Sequence, residues 1–250
     1  MDPIGMSDSK DVSRQASEPY DQLALGLSLD DSAVFENFFT CEGNALALAK
    51  LRDLGASSEE GDFIFLWGEG SPGLTHLLQS ACHHGARSGL SAFYLSLKER
   101  DHLAPDIIEG LERLDIICLD DVDAVAGLAD WEASLFTLFN RIKDARRTLI
   151  LSSRLTPANL PIALPDLKSR LQSGLTLQVH ELDDKQKRDA LIMRAGLRGI
   201  DMSTGVADYV LSRAERGLPA LLNVLDRLDE STIKQKRLLT IPLVKATLGW

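Results

Sequence analysis

Short, near-continuous apolar runs alternate with longer stretches of helical period through the middle of this 250-residue chain. "FIFLW" (63–67) opens the series, followed by "SAFYLSL" (91–97), "DIICLDD" (115–121), "TLILSS" (148–153) and "LTLQVH" (175–180). Runs of this length and makeup read as strands, and strands apolar on both faces belong to a parallel sheet covered by helices. The expected fold class is therefore α/β, a doubly wound five-stranded parallel sheet whose ligands bind beyond the carboxyl ends of the strands. After His180 the strand runs stop. "DDKQKRDALIMRAGLRG" begins with acidic residues and ends at Gly199, and "GVADYVLSRAERG" is a second helical stretch. Leu218, Leu221, Leu222, Leu225 and Leu228 then make one apolar stripe. In "LTIPLVKATLGW", Thr240 is the expected N-cap, with Pro242 in the first turn. The pattern divides the chain into a tail at 1–20, a short partly apolar segment at 21–29, an α/β core at 30–180 and a small all-helical domain at 181–250.

Composition narrows the class. The chain is 44% hydrophobic and 26% charged, which is ordinary globular makeup. No apolar run approaches the roughly 18 residues that span a bilayer. The first 20 or so residues are polar and aperiodic, which reads as disorder. A second methionine, Met6, makes "MDPIG" an extension that carries no fold information, and the lack of an apolar leader points to the cytoplasm. A net charge of −10 argues against strong direct DNA binding, because nucleic-acid binders carry basic patches that release phosphate counterions. The basic clusters "RIKDARR" (141–147) and "KQKR" (234–237) are short and read as solvated helix faces. Cys41, Cys82 and Cys118 show no metal-ligand spacing, so buried free thiols are expected.

Chemistry concentrates at the strand ends. "FIFLW" runs into "GEGSPGLT" and then into the helical pattern of Leu74, Leu77, Leu78 and Ala81. Strand, glycine loop, helix is the layout of a phosphate-binding loop, where unpaired N–H groups at a helix N-terminus cradle an anion. Gly68, Gly73 and Thr75 fit the pattern G-x-x-x-x-G-K-[ST]; Gly70 eases the wrap, and the Thr75 hydroxyl can serve Mg²⁺. Two departures weaken the loop. Leu74 stands where a lysine would reach the phosphates, and Pro72 removes a donor. A charge-assisted hydrogen bond is worth roughly 1.5–3 kcal/mol, or about one to two decades of affinity. A generic strand–turn–helix connection is the competing reading.

"IICLDDVD" is the second element. One carboxylate at the end of that strand, Asp120, can hold Mg²⁺ while the next, Asp121, orients water; acidic residues capping a strand end are the plain alternative. Third, Arg170 in "LPDLKSRLQSGLTLQV" precedes the fifth strand. It is either a salt-bridged surface residue or an arginine finger that reaches a neighbouring subunit.

The ordered set "FENFF…GN", "LWGEGSPGLTHLLQSAC", "LDDVDAVAG", "LFNRI", "LILSS…P" and "LPDLKSRL…GLT" resembles the bacterial initiator DnaA and its AAA+ relatives, from about Gln22 to Trp250. The ending "LDRLDESTIKQKRLLTIPLVKATLGW" is similar to the DnaA-homologous regulators of that family more than to a DnaA lid. No helix-turn-helix DNA-binding domain of the DnaA kind is then expected. The resemblance implies a P-loop AAA+ core with a helical lid, holding a nucleotide through Gly68, Gly70, Gly73, Leu74, Thr75, His76 and Ser153. It puts Ser152 or Ser153 near the γ-phosphate position and Mg²⁺ at Asp120 and Thr75, with Asp121 as the water-orienting acid. Arg170 becomes a finger that completes the ATPase site of DnaA in trans. Phe35, Phe38 and Phe39 fall where these relatives contact the base, although core packing explains them equally well. In "DQLALGL", Gln22, Leu23, Leu25 and Leu27 match the peptide with which such regulators bind the DNA polymerase III sliding clamp, its β subunit. An extended peptide presents alternate apolar side chains to a groove. Without the resemblance the same segment reads as the start of the domain.

The resemblance also marks losses. Members of this group often keep a basic residue at the Leu74 position, and the arginine a lid sensor would supply falls near Pro219, with Arg213 and Arg216 only upstream. Both losses take positive charge from the terminal phosphate, so ADP is the expected ligand rather than ATP. The implied function is a negative regulator of replication initiation that docks on the DNA-loaded clamp and promotes hydrolysis of DnaA-bound ATP. Such a protein activates a partner's ATPase and is not itself an efficient one; a homo-oligomer is left open. Two other readings stand beside it: a self-contained AAA+ ATPase such as a helicase loader or clamp-loader-like subunit, and a clamp-binding scaffold that holds no nucleotide.

Overall fold

A computed structural model of the chain describes residues 29–54, 61–215, 217–235 and 239–250, with the backbone alone over 231–235. The expected tail, the clamp-binding residues Gln22, Leu23, Leu25 and Leu27, and Arg216 lie outside these residues.

The strands fall within the expected runs: β1 (Phe63–Trp67), β2 (Ala92–Ser96), β3 (Ile116–Asp120), β4 (Thr148–Ser153) and β5 (Leu175–Gln178). They form one parallel sheet in the order β2-β3-β4-β1-β5. The central strands β3 and β4 are buried at every position because elements cover both faces. Alternation sorts their side chains into two layers. Ile64, Leu66, Ile116, Cys118 and Ile150 pack with α1 (Ala45–Arg52) and α2 (Leu74–Arg87). Phe65, Ile117, Leu119, Leu149 and Leu151 pack with α3 (Ala129–Asp144) and α4 (Pro165–Ser173) on the other face. Cys82 and Cys118 are buried free thiols, as expected; Cys41 is free and only half-buried.

One connection is not the expected helix. Between β2 and β3 the chain passes through 3₁₀ turns at Leu97–His102, Pro105–Ile108 and Leu111–Arg113. Pro105 lacks an N–H and Gly110 takes φ 80°, so a continuous helix has no purchase there. Lys98 is consequently left at the carboxyl edge of the sheet.

Beyond β5 the chain forms the lid, α5 (Asp184–Leu197), α6 (Thr204–Arg213), α7 (Leu218–Gln235) and α8 (Ile241–Leu248). Asp183 and Gln186 make a reciprocal capping box: the Asp183 carboxylate accepts the Gln186 N–H at 2.7 Å, and the Gln186 side-chain oxygen accepts the Asp183 N–H at 3.0 Å. Thr240 caps α8 as expected, accepting from the Leu243 N–H at 3.5 Å. The leucine stripe of α7 divides: Leu221, Leu225 and Leu228 join Leu191, Val206, Val210 and Val244 in a core private to the lid, whereas Leu218 and Leu222 face a cleft toward the sheet. At the junction the Asn44 amide exchanges two hydrogen bonds with the backbone of His180, at 2.7 and 3.0 Å. Arg194 of α5 reaches across to the Asn37 carbonyl at 3.1 Å. No helix among the described residues is long and apolar enough to cross a membrane.

Candidate nucleotide site

At the end of β1 the Gly68 N–H donates to the Ser153 carbonyl at 3.2 Å, which pins the start of the loop to β4. A Cβ on Gly68 would collide with the Val179 carbonyl oxygen, so the backbone passes there only as glycine. Gly73 sits at the N-cap of α2 with φ 94°, a left-handed conformation that disfavours any side chain. Among the described residues no side chain caps α2, so its first N–H groups remain available, and a helix N-terminus favours an anion. Leu74, at the lysine position, is only 9% exposed and packs into the α1–α2 core.

The acids of β3 sit against this helix start. Asp120 is 1% exposed and its carboxylate is held by three hydroxyls: Thr75 at 2.6 Å and Tyr94 at 3.0 Å donate to Oδ2, and Ser152 donates to Oδ1. Burial, and then the neighbouring Asp120 charge, push the Tyr94 phenol far above its ordinary range. Asp121 adopts φ 59°, unusual for a residue with a side chain. Its N–H donates to Ser152 Oγ at 3.0 Å and its carboxylate pairs with Lys98 Nζ at 2.7 Å. Burial first, then Asp120, raise the Asp121 pKa, and Lys98 pulls it the other way.

The donors gathered here are hard oxygens of the kind Mg²⁺ takes when phosphates and water complete its shell. The Thr75 proton is committed to Asp120, which leaves the hydroxyl lone pairs for a cation. Among the described residues no group of three or more His, Cys, Asp or Glu assembles a protein-only metal site. The residues thus fit a cation that arrives with a phosphate.

Gly68, Gly70, Gly73, Leu74, Thr75 and His76 line one cleft of about 400 Å³ between sheet and lid, joined by Asp121. That volume is in the range of small-molecule sites. Asp120 lies behind the wall. The Ser153 hydroxyl accepts from the Leu155 N–H at 3.0 Å, and Ser153 is not part of the lining. The phenylalanines split: Phe35 is core, 3% exposed, while Phe38 and Phe39 line the cleft. The Phe38 ring lies 5.8 Å from the His76 ring, and His76 Nε2 meets the Val34 carbonyl at 3.0 Å. Burial lowers the His76 pKa and nearby Arg194 adds to that effect, against the opposing hydrogen bond to Val34 and the charge of Asp30.

Residues 29–178 match the family model of the bacterial DnaA ATPase domain. The chain belongs to that family. Residues 184–248 match the model of the Hda lid domain, so a DnaA-type AAA+ core carries an Hda-type lid. Domain III of the Thermotoga maritima replication initiation protein DnaA is similar with a TM-score of 0.74 at 21% identity, over 89% of this chain and 98% of that one. AMPPCP-bound DnaA from Aquifex aeolicus is similar with a TM-score of 0.67 at 24% identity, over 83% of this chain and 67% of that one. The Thermotoga maritima RuvB Holliday junction branch migration motor follows at 0.62 and 15%, over 86% and 72%. At such identities the superpositions speak for the fold alone.

Within this DnaA-family core, the cleft lining adds charge that the sequence did not reveal. Leu74 and Pro219 do reach the cleft without charge, but Lys98, Arg154 and Arg194 also line it. The cleft therefore keeps positive charge from residues that sequence reasoning passed over. Arg213 is turned onto the Tyr209 ring, 5.7 Å from its centroid. Arg170 stands outside the cleft on α4, its guanidinium 5.9 Å from the centre of the Phe139 ring. The approach to α4 is fixed by Glu132 of α3, also missed in the sequence. Its carboxylate, 1% exposed, accepts the N–H groups of Gly127 at 2.7 Å, Ala163 at 3.0 Å and Leu164 at 2.7 Å.

Proposed function

We propose that this chain is a negative regulator of replication initiation in the cytoplasm. It holds ADP between core and lid, docks on the sliding clamp through Gln22, Leu23, Leu25 and Leu27, and stimulates hydrolysis of DnaA-bound ATP through Arg170. One observation carries the reading: a DnaA-type core with an Hda-type lid has lost the lysine of its own loop, yet it carries Arg170 outside the cleft on a helix with a fixed entry.

The chain's own residues then divide the work. The free N–H groups at the start of α2 would bind the phosphates, and Thr75, oriented by Asp120, would hold an accompanying Mg²⁺, whose contribution is to neutralise phosphate charge. A nucleotide that touches both the loop and Arg194 fixes the angle between core and lid, and with it the face that carries Arg170. In the partner's site the Arg170 guanidinium stabilises charge on the transferring phosphoryl group. An arginine finger contributes about 10³–10⁵ in rate. Its stacking on Phe139 is worth only about 0.5–1 kcal/mol, so leaving that ring is a small cost.

The test is ATP hydrolysis by DnaA in the presence of DNA-loaded clamp. Arg170→Ala should abolish stimulation while clamp co-elution persists; equal stimulation by variant and parent would sink the mechanism. Changing Gln22, Leu23 and Leu25 to alanine should abolish co-elution. The cations Arg154 and Arg194 in the cleft lining favour a second reading, a chain that turns over its own ATP. Brisk intrinsic turnover without DnaA would support that reading over the first.

A further inference from the structure

Positive charge at the phosphate end of the cleft comes from strands other than the one that carries the loop. Lys98 follows β2, which β3 and β4 separate from β1. At about 4.8 Å per strand its backbone stands roughly 14 Å across the sheet from β1. The start of α2 leans the other way to meet it. Thr75 bonds to Asp120, and Lys98 Nζ bonds to the very next residue, Asp121. Arg154 follows β4, the strand between β3 and β1, and its N–H donates to Asp123 Oδ1 at 3.3 Å. Among the described residues the Arg154 guanidinium makes no ion pair. The third cation, Arg194, is committed to the Asn37 carbonyl on the lid side.

We propose that Lys98 and Arg154 together replace the missing loop lysine as anchors of the nucleotide's terminal phosphate, one on each side of Asp121. This assignment rests on the reading of the cleft as a nucleotide site. An ammonium group has three donors, so Lys98 can keep Asp121 and still donate to a phosphate oxygen. The Lys98 side chain is 53% exposed, and recruiting it requires little desolvation. Arg154 is exposed and offers the forked donors that suit phosphate. The pairing also occupies Asp121, the acid that would orient an attacking water, so the same lysine favours holding a nucleotide over hydrolysing it.

Binding of ADP and AMP to the full chain, measured by titration calorimetry with Mg²⁺ present, separates the possibilities. The wild-type chain should bind ADP more tightly than AMP. The double variant Lys98→Met, Arg154→Met should lose about 10- to 100-fold in ADP affinity and keep its AMP affinity, which erases the preference. Adding Leu74→Lys to that variant should restore at least part of the loss, and Lys98→Arg alone should retain ADP binding. Both positions are exposed, and an unchanged unfolding temperature confirms an intact fold. Unchanged ADP affinity in the double variant overturns the anchors alone, as does an equal loss for ADP and AMP. A wild-type chain that binds neither nucleotide overturns the nucleotide reading itself.

Discussion

Glu132 and Asp121 are both carboxylates enclosed by the α/β core, 1% and 7% exposed, and their surroundings treat them in opposite ways. Glu132 is met on every side by backbone N–H groups, from the turn at Gly127 and from Ala163 and Leu164 at the entry to α4. Asp121 takes a left-handed backbone, sits next to a second carboxylate and has a half-exposed lysine as its only ion-pair partner among the described residues. The first arrangement produces rigidity. The second leaves repulsion that Lys98 offsets only in part, and such tension is found where a ligand or partner is expected to supply the rest. The rigid acid supports the helix of Arg170, and the strained one borders the cleft.

Removing the rigid acid should have the largest effect. Glu132→Ala takes the acceptor from the N–H groups of Gly127, Ala163 and Leu164 and empties a buried position, and urea unfolding should show a loss of about 2–3 kcal/mol. A loss under about 1 kcal/mol would erase the contrast between the two acids. Glu132→Gln retains one acceptor oxygen and turns an NH₂ toward the remaining donors, so a loss of about 1–2 kcal/mol is expected by the same measurement.

At Asp121 the sign reverses. A carboxyl whose pKa is raised on folding contributes stability that is fully present below the unfolded value near 3.9 and is lost as pH rises through the folded value. Asp121→Asn removes that loss and tolerates the left-handed backbone. The variant should melt about 2 °C above the parent at pH 7 and level with it near pH 3. A difference that stays constant across that range would show that ionisation is not the cause. The smallest effect belongs to Lys98→Met, where a half-exposed ion pair should change stability by less than about 1 kcal/mol. A larger loss would make Lys98 a structural partner of Asp121 and move that corner closer to the Glu132 type.

The sheet was legible because its strands are apolar on both faces and glycines punctuate them; the 63–67 run and Gly68 mark the loop with no tertiary information. The Thr240 cap and the split between core and lid were readable for the same reason, since each signal is local. What stayed hidden was polar and non-local. Glu132 lies 32 residues from Leu164, and nothing in "ADWEASLF" says that one carboxylate points inward to collect N–H groups of a later loop. Lys98 and Arg154 each follow an apolar strand, where an exposed basic residue is commonplace; only the strand order brings both to the cleft that Asp121 borders. The 218–228 stripe showed one apolar face, but not that Leu218 and Leu222 would leave the lid core for the cleft. The clamp-binding residues and Arg170's proposed role in trans are carried by resemblance, because recognition of a partner is written on the surface and not in the packing of one chain.

Leu74 is a core residue at the mouth of a binding site, and this changes what mutation can do there. In a loop that keeps its lysine, one position serves helix packing and ligand charge together, and a substitution disturbs both. Here the packing belongs to Leu74 and the charge to exposed turns on other strands. Affinity can then drift, sharpen or be lost over generations while the fold that presents Arg170 stays intact.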